Sequence, residues 1–287
     1  MIYVVAFVTL GESGDLSSLL DAERSLVENE SNLSHDGNCW VYDDAIVAHD
    51  AIVSENAKIR NEAWVFMEAR VAGNAVVSDK ARVLEKTAYV HGNAKIRDNA
   101  AICGEIYGNA IVCNKAMVSP EAKIYDNAKV SNRAIIMGFV YGNAHVCDCA
   151  RVYENAHVYD NAKILNNAWV YNSARVYGHA KLSGHARIYR NAVVYDHAVV
   201  SGACKIYGKV YGHASVGGYT KVYGSVYGNA KVTGDHVIRG LVHGNAKLKK
   251  DGNLYTKQNP SYAYGIPENC EIYENDNVVK IVENKAT

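Results

Sequence analysis

From Cys39 to Leu248 the sequence repeats a hexapeptide, Ala-x-[Val/Ile]-x-x-x, as in Ala156-His157-Val158-Tyr159-Asp160-Asn161. The run holds 37 aliphatic anchors from Val41 through Leu248, all Val or Ile except Leu182 and Leu248. The residue two before the anchor is Ala in 28 of the 37. Residues two apart share one face of a strand, so the Ala and the anchor point inward while their neighbours point out. Composition agrees: 21 tyrosines stand against three phenylalanines and three prolines, and the aliphatics are mostly Val, Ile and Ala. Few stretches carry the Leu/Glu/Lys mixture that builds helices, which argues against an all-α or doubly wound α/β protein.

Six strides between anchors are irregular. Val83 to Val90 takes seven residues, while Ile102–Ile106, Ile136–Val140, Ile206–Val210, Val222–Val226 and Ile238–Val242 take four, each with a Gly two before the second anchor. Numbered from Val41, these are strides 8, 11, 17, 29, 32 and 35, and every one leaves remainder two on division by three. Unrelated corners would do this roughly once in 240 sequences, so the repeating unit is three strides. Three short strands per turn predict a triangular, all-β parallel β-helix of about twelve coils, each coil touching only its neighbours. The expected organisation is a strand/helix cap over 1–38, the β-helix over 39–249, and a loop with a capping strand over 250–287. The cap elements are a strand at Ile2–Leu10, a helix around Asp15–Val27, a loop over Asp251–Pro267 and a strand at Asn277–Val282.

Charge is balanced overall, with 30 Lys+Arg and 30 Asp+Glu, but unevenly placed. Residues 1–38 carry a net of −6, and 122–250, with 17 basic and six acidic residues, a net of +11. No apolar run approaches the length of a membrane helix, and Ile2–Leu10 lacks the basic flank of a signal peptide. Seven cysteines with no CxxC pair argue against a disulfide framework or a structural zinc site. A reducing cytoplasm is the simplest home.

These residues resemble the hexapeptide-repeat proteins, and the resemblance covers about 210 of the 287 residues. It implies that the β-helix is single-stranded and left-handed, a hand that periodicity alone does not give. A narrower similarity is to the YdcK-like hexapeptide proteins of bacteria and phages. It rests on Leu26-Val27-Glu28-Asn29-Glu30-Ser31-Asn32-Leu33-Ser34 leading to Gly37-Asn38-Cys39-Trp40-Val41-Tyr42-Asp43. The Gly-Gly-Trp that opens this segment in those proteins is missing here, and their label as transferases rests on fold alone.

The three sides show different surfaces. On side one the residue after the anchor is mostly small (Ser78, Cys113, Ser131, Cys147, Ser183, Ser201, Gly217, Thr233), a flat Ser/Cys/Gly face suited to packing a second copy. On side three the same position is Tyr in eight consecutive coils, from Tyr107 to Tyr227, which should be exposed in register. Two residues further on stands an Asn ladder (56, 74, 93, 109, 127, 143, 161, 229, 245), read as left-handed corners whose amides bond along the axis. His179, His197 and His213 replace it in three successive coils. Three imidazoles suit zinc by number. Histidine also populates left-handed corners, and no carboxylates are spaced to orient these rings. They are therefore read as corner substitutions, with no metal and no cofactor expected.

Side two is the candidate site. In five consecutive coils it reads Arg151, Tyr153; Trp169, Tyr171; Arg187, Tyr189; Lys205, Tyr207; and Lys221, Tyr223, one residue on each side of the anchor. Both flanking residues face outward, giving a basic and aromatic stripe roughly 20–25 Å long. Cations interleaved with rings suit a nucleotide, single-stranded nucleic acid or an acidic glycan. The same residues also serve as strand formers and solubilising charges, so the stripe has a purely structural reading as well.

The sequence leaves the function between classes. One is a non-catalytic binding or scaffold protein. A second, from the resemblance, is an acyl- or acetyltransferase of trimeric rods, with acyl-CoA between them and a catalytic His near a loop that interrupts the coils. This chain has no such loop, only one inserted residue near Lys86, and no Ser/His/Asp constellation or phosphate-cradling Gly loop. The third, from the phage resemblance, is a protein that sequesters a nucleotide signal. The non-catalytic reading is preferred.

Overall fold

A computed structural model describes residues 6–7, 26–249, 266, 268–273 and 279–281. The chain forms two compact units, unit 1 from Met1 to Asn143 and unit 2 from Ala144 to Thr287. Each is a three-sided parallel β-solenoid, and together they hold about twelve coils. Strands are mostly two residues long, the residue before the anchor and the anchor itself, and like strands in successive coils pair in parallel 16, 18 or 19 residues apart. The anchors are buried, as are the alanines two residues before them. Cys39 and Cys204 replace alanine at that inward position, and burial pushes the Cys204 thiol up to about 12. All seven cysteines are free.

One hydrogen-bond pattern builds every side. The amides flanking an anchor donate to the next coil, as Arg187 N does to Cys204 O (2.8 Å) and Tyr189 N to Ile206 O (2.8 Å). No loop leaves the coils in unit 1 from Trp40 onwards or in unit 2 up to Lys249. The four-residue strides tighten the corner between sides two and three, and there the backbones of adjacent coils close on each other. The amides of Tyr207 and Gly208 both donate to Val222 O (2.7 and 3.0 Å), and those of Tyr223 and Gly224 to Ile238 O (2.7 and 3.1 Å). A Cβ on Gly224 would collide with the carbonyl oxygens of Gly240 and Arg239, which is why this position is glycine.

The left-handed corner residue is not the Asn of the ladder but the residue before it. Positive φ falls at Gly73, Gly92, Gly108 and Asp126, each followed by a ladder Asn that is not left-handed. Asp126 also accepts a bond from Gly142 N (3.1 Å), the left-handed residue of the next coil. The Asn side chains do bond along the axis. In unit 1, Asn56, Asn74, Asn93, Asn109, Asn127 and Asn143 form one amide chain with steps of 3.0–3.3 Å.

The ends differ from the expected caps. Leu26–Val27 is a strand, paired with Ile46–Val47 on one side and Ala6–Phe7 on the other, so the helix expected around Asp15–Val27 does not reach Leu26. The rest of that helix lies outside the described residues. Leu33–Gly37 joins side three beside Ile52–Glu55 with a register shift. At the other end Ile266 bridges to Ile238 and accepts from Arg239 N (2.8 Å). Cys270–Ile272 pairs in parallel with Leu241–Val242, and Val279–Lys280 pairs antiparallel with it, where the last strand was expected. The other residues of the loop expected over Asp251–Pro267 are undescribed, Glu268 and Asn269 apart from it forming a turn. In unit 1, alternation places Ile46, Ala48 and Phe66 on the outside of side two. They are buried nonetheless, packed with Leu26, Trp64 and Leu84.

Candidate functional site

The whole side-two stripe lies in unit 2, on the strands Arg151–Val152, Trp169–Val170, Arg187–Ile188, Lys205–Ile206 and Lys221–Val222. Their register brings Arg151 opposite Trp169, Trp169 opposite Arg187, Arg187 opposite Lys205, and Lys205 opposite Lys221. All ten residues face outward. Lys221 and Tyr223 are exposed and the other eight are half-buried.

The half-burial comes from the rings covering one another. Tyr153, Tyr171, Tyr189, Tyr207 and Tyr223 form one stack with centroid steps of 5.2, 5.0, 5.0 and 4.8 Å and interplanar angles of 14° or less. Trp169 sits in a second column between two guanidinium groups, with Arg151 4.8 Å from one ring face and Arg187 4.7 Å from the other. Arg151 Nη1 also donates to the Tyr153 hydroxyl (2.9 Å). Arg239, which the sequence reading missed, stands 5.7 Å over the outer face of Tyr223. Its signal was its register, since it follows the anchor Ile238 as Tyr223 follows Val222.

Side three carries the tyrosine column in register, but half-buried rather than exposed, because its rings stack too. In unit 1 the column runs Tyr107, Tyr125, Tyr141 with steps of 4.9 and 4.7 Å, and His91 stacks on its first ring. In unit 2 it runs Tyr159, Tyr177, Tyr195, Tyr211, Tyr227 and then His243, with steps of 4.8–5.1 Å.

Burial within the stacks raises two of these phenols furthest. Burial, then the neighbouring rings, pushes Tyr171 and Tyr125 from the ordinary 10.0 up to about 12. The unfolded chain loses those protons at the ordinary value, so between the two values the folded state holds more protons. The stability linked to them is therefore complete below pH 10.0 and is lost as pH rises towards about 12. Phenolate absorbance should accordingly rise in two waves, the later one including Tyr125 and Tyr171 and coinciding with unfolding. A single wave at the ordinary phenol value would contradict the stacks.

The three histidines do not converge. His179, His197 and His213 lie face to face at 4.9 and 4.8 Å with 2° between planes. Imidazole lone pairs lie in the ring plane, so parallel rings aim theirs side by side rather than at one point, whereas zinc needs them within about 2.0–2.1 Å of a single ion. These residues are not left-handed, contrary to the reason first given for them; Gly178, Asp196 and Gly212 before them are. Within unit 2 they hold the position that Asn229 and Asn245 hold, with ring stacking in place of amide hydrogen bonds.

Ion pairing distinguishes the two units. In unit 1, cations pair with carboxylates one coil away: Lys80 with Glu62 (3.0 Å), Lys86 with Glu68 (2.7 Å) and Lys123 with Glu105 (2.7 Å). In unit 2, the 13 Lys and Arg between Ala144 and Lys249 face only five Asp and Glu, a net of +8. Among the described residues no carboxylate stands within ion-pairing distance of Arg187, Lys205 or Lys221.

Compared with protein families and with curated proteins, the chain matches none. No helix among the described residues is long and apolar enough to cross a membrane.

Proposed function

We propose that this chain is a non-catalytic β-solenoid binding protein of the hexapeptide-repeat superfamily, at work in the cytoplasm, and that side two of unit 2 takes an anionic ligand. The observation that carries this is the column Arg187, Lys205, Lys221, three cations on directly opposed strand positions without carboxylate partners. Like charges so placed repel, where opposite-charge pairs would contribute roughly 0.2–1 kcal/mol each. In unit 1 lysines have glutamate partners one coil away, and in unit 2 a bound anion would take that place. The segment's excess positive charge would draw that ligand in from a distance, an attraction that salt screens.

The loop-free surface of side two favours binding over chemistry. A general base works beside a held substrate, and a coil without an interrupting loop has no wall to hold one. The test is an anisotropy screen of labelled single-stranded DNA and acidic glycans, with calorimetry of nucleotides, at about 50 mM salt where charge contacts are strong. Binding that weakens as salt is raised is the expected result. Affinity no better than high micromolar for every class would make the stripe a sheet surface only.

A further inference from the structure

The ring geometry narrows the ligand of this face further, an inference that rests on the anion-binding reading above. Single-stranded nucleic acid gains much of its binding from bases laid on aromatic faces. Here those faces are taken. Each of Tyr171, Tyr189 and Tyr207 has a near-parallel ring on both sides at centroid distances of 4.8–5.2 Å, Trp169 has a guanidinium on both faces, and Arg239 stands over Tyr223. Opening a gap for a base would mean parting coils that are bonded to each other through every strand. What the surface offers is the rims of the rings and a column of cationic residues, Arg187, Lys205 and Lys221, on opposed strand positions. Both repeat once per coil, at about 4.8 Å.

From this we infer that the face binds a linear acidic glycan of the polyuronate class, lying along the coil axis with its carboxylates on Arg187, Lys205 and Lys221. Two properties of the surface point there. Such a chain carries one carboxylate on each pyranose unit, so several of them lie along the length of the three-cation column. It also carries hydroxyl groups that can exchange hydrogen bonds with a row of phenols and needs no free ring face.

The experiment compares a labelled galacturonate decamer, its methyl-esterified form and a thymidylate decamer on the full chain, by anisotropy. The galacturonate should bind at least tenfold more tightly than the thymidylate, and esterification should abolish binding. The Lys205→Ala/Lys221→Ala double variant should lose at least tenfold for the galacturonate with its melting temperature unchanged. If the variant's melting temperature falls, Lys221→Ala alone, at an exposed position, supplies the comparison, with a loss expected there too. Thymidylate bound as tightly as galacturonate would overturn this inference and leave the anion-binding reading standing. Failure of both to bind would overturn the two together.

Discussion

Ile188→Asp should abolish the native state of unit 2 at temperatures where the parent chain is fully folded. Ile188 is completely buried, and the anchors it pairs with in the coils before and after, Val170 and Ile206, are buried as completely. A carboxylate there has no cation or water to meet, and its alternating neighbours already point outward, so a turned strand would only bury Arg187 or Tyr189 instead. Burying an unpaired charge belongs to the small class of substitutions that cost about 4 kcal/mol or more. The contrasting variant is Lys181→Asp, an exposed outward position on side one, where a change within about 0.5 kcal/mol is expected. Denaturant unfolding of the full chain reads both. Equal midpoints for the two variants would mean that the assignment of inward and outward positions is wrong.

Gly224→Ala should be the second most damaging single change, although it adds only one methyl group. At the tightened corner its Cβ would run into two carbonyl oxygens of the following coil, backbone atoms that can move only if the coil moves. The same coil contact carries the paired bonds from Tyr223 and Gly224 to Ile238, so relief of the clash breaks hydrogen bonds as well. A loss of roughly 3 kcal/mol is expected, at the upper end for overpacking. Gly217→Ala gives the comparison. Its Cβ would meet the Ser201 hydroxyl at 3.3 Å and the Thr233 methyl at 3.7 Å, near ordinary contacts, and a stability change of less than about 1 kcal/mol, of either sign, should follow. Melting temperatures that do not separate the two glycines would contradict the close approach of the coils.

These cases also show which features a sequence of this kind exposes. Ile188 could be placed on the inside of side two by counting strides, because each coil buries the same register position and the pattern is never averaged away. The four-residue strides with their glycines located the tightened corner for the same reason. Other features depend on what spacing does not encode. At the ladder corners the left-handed residue stands one position before the Asn that marks it, and after side-two anchors Glu154 and Arg190 hold that conformation too. The closure of the ring faces follows from side-chain rotation, not from the order of residues, so the sequence located Tyr171 and Tyr189 but not their loss of free faces. Phe66 and Ile46 occupy outward positions by alternation yet are buried by neighbours on their own face. The strand at Leu26–Val27 followed a segment whose composition resembled a helix, and pairing with Ile46–Val47 overrode that local preference.

The salt dependence of ligand binding tests the central claim most directly, because it counts the charges that meet the anion. The affinity of the parent chain for a labelled polyanion, measured between about 50 and 200 mM salt, should fall linearly on logarithmic axes, and Lys205→Ala/Lys221→Ala should flatten that slope by about one for each lysine removed. Binding whose slope is the same in parent and variant would place the ligand elsewhere on the molecule and contradict the assignment of side two.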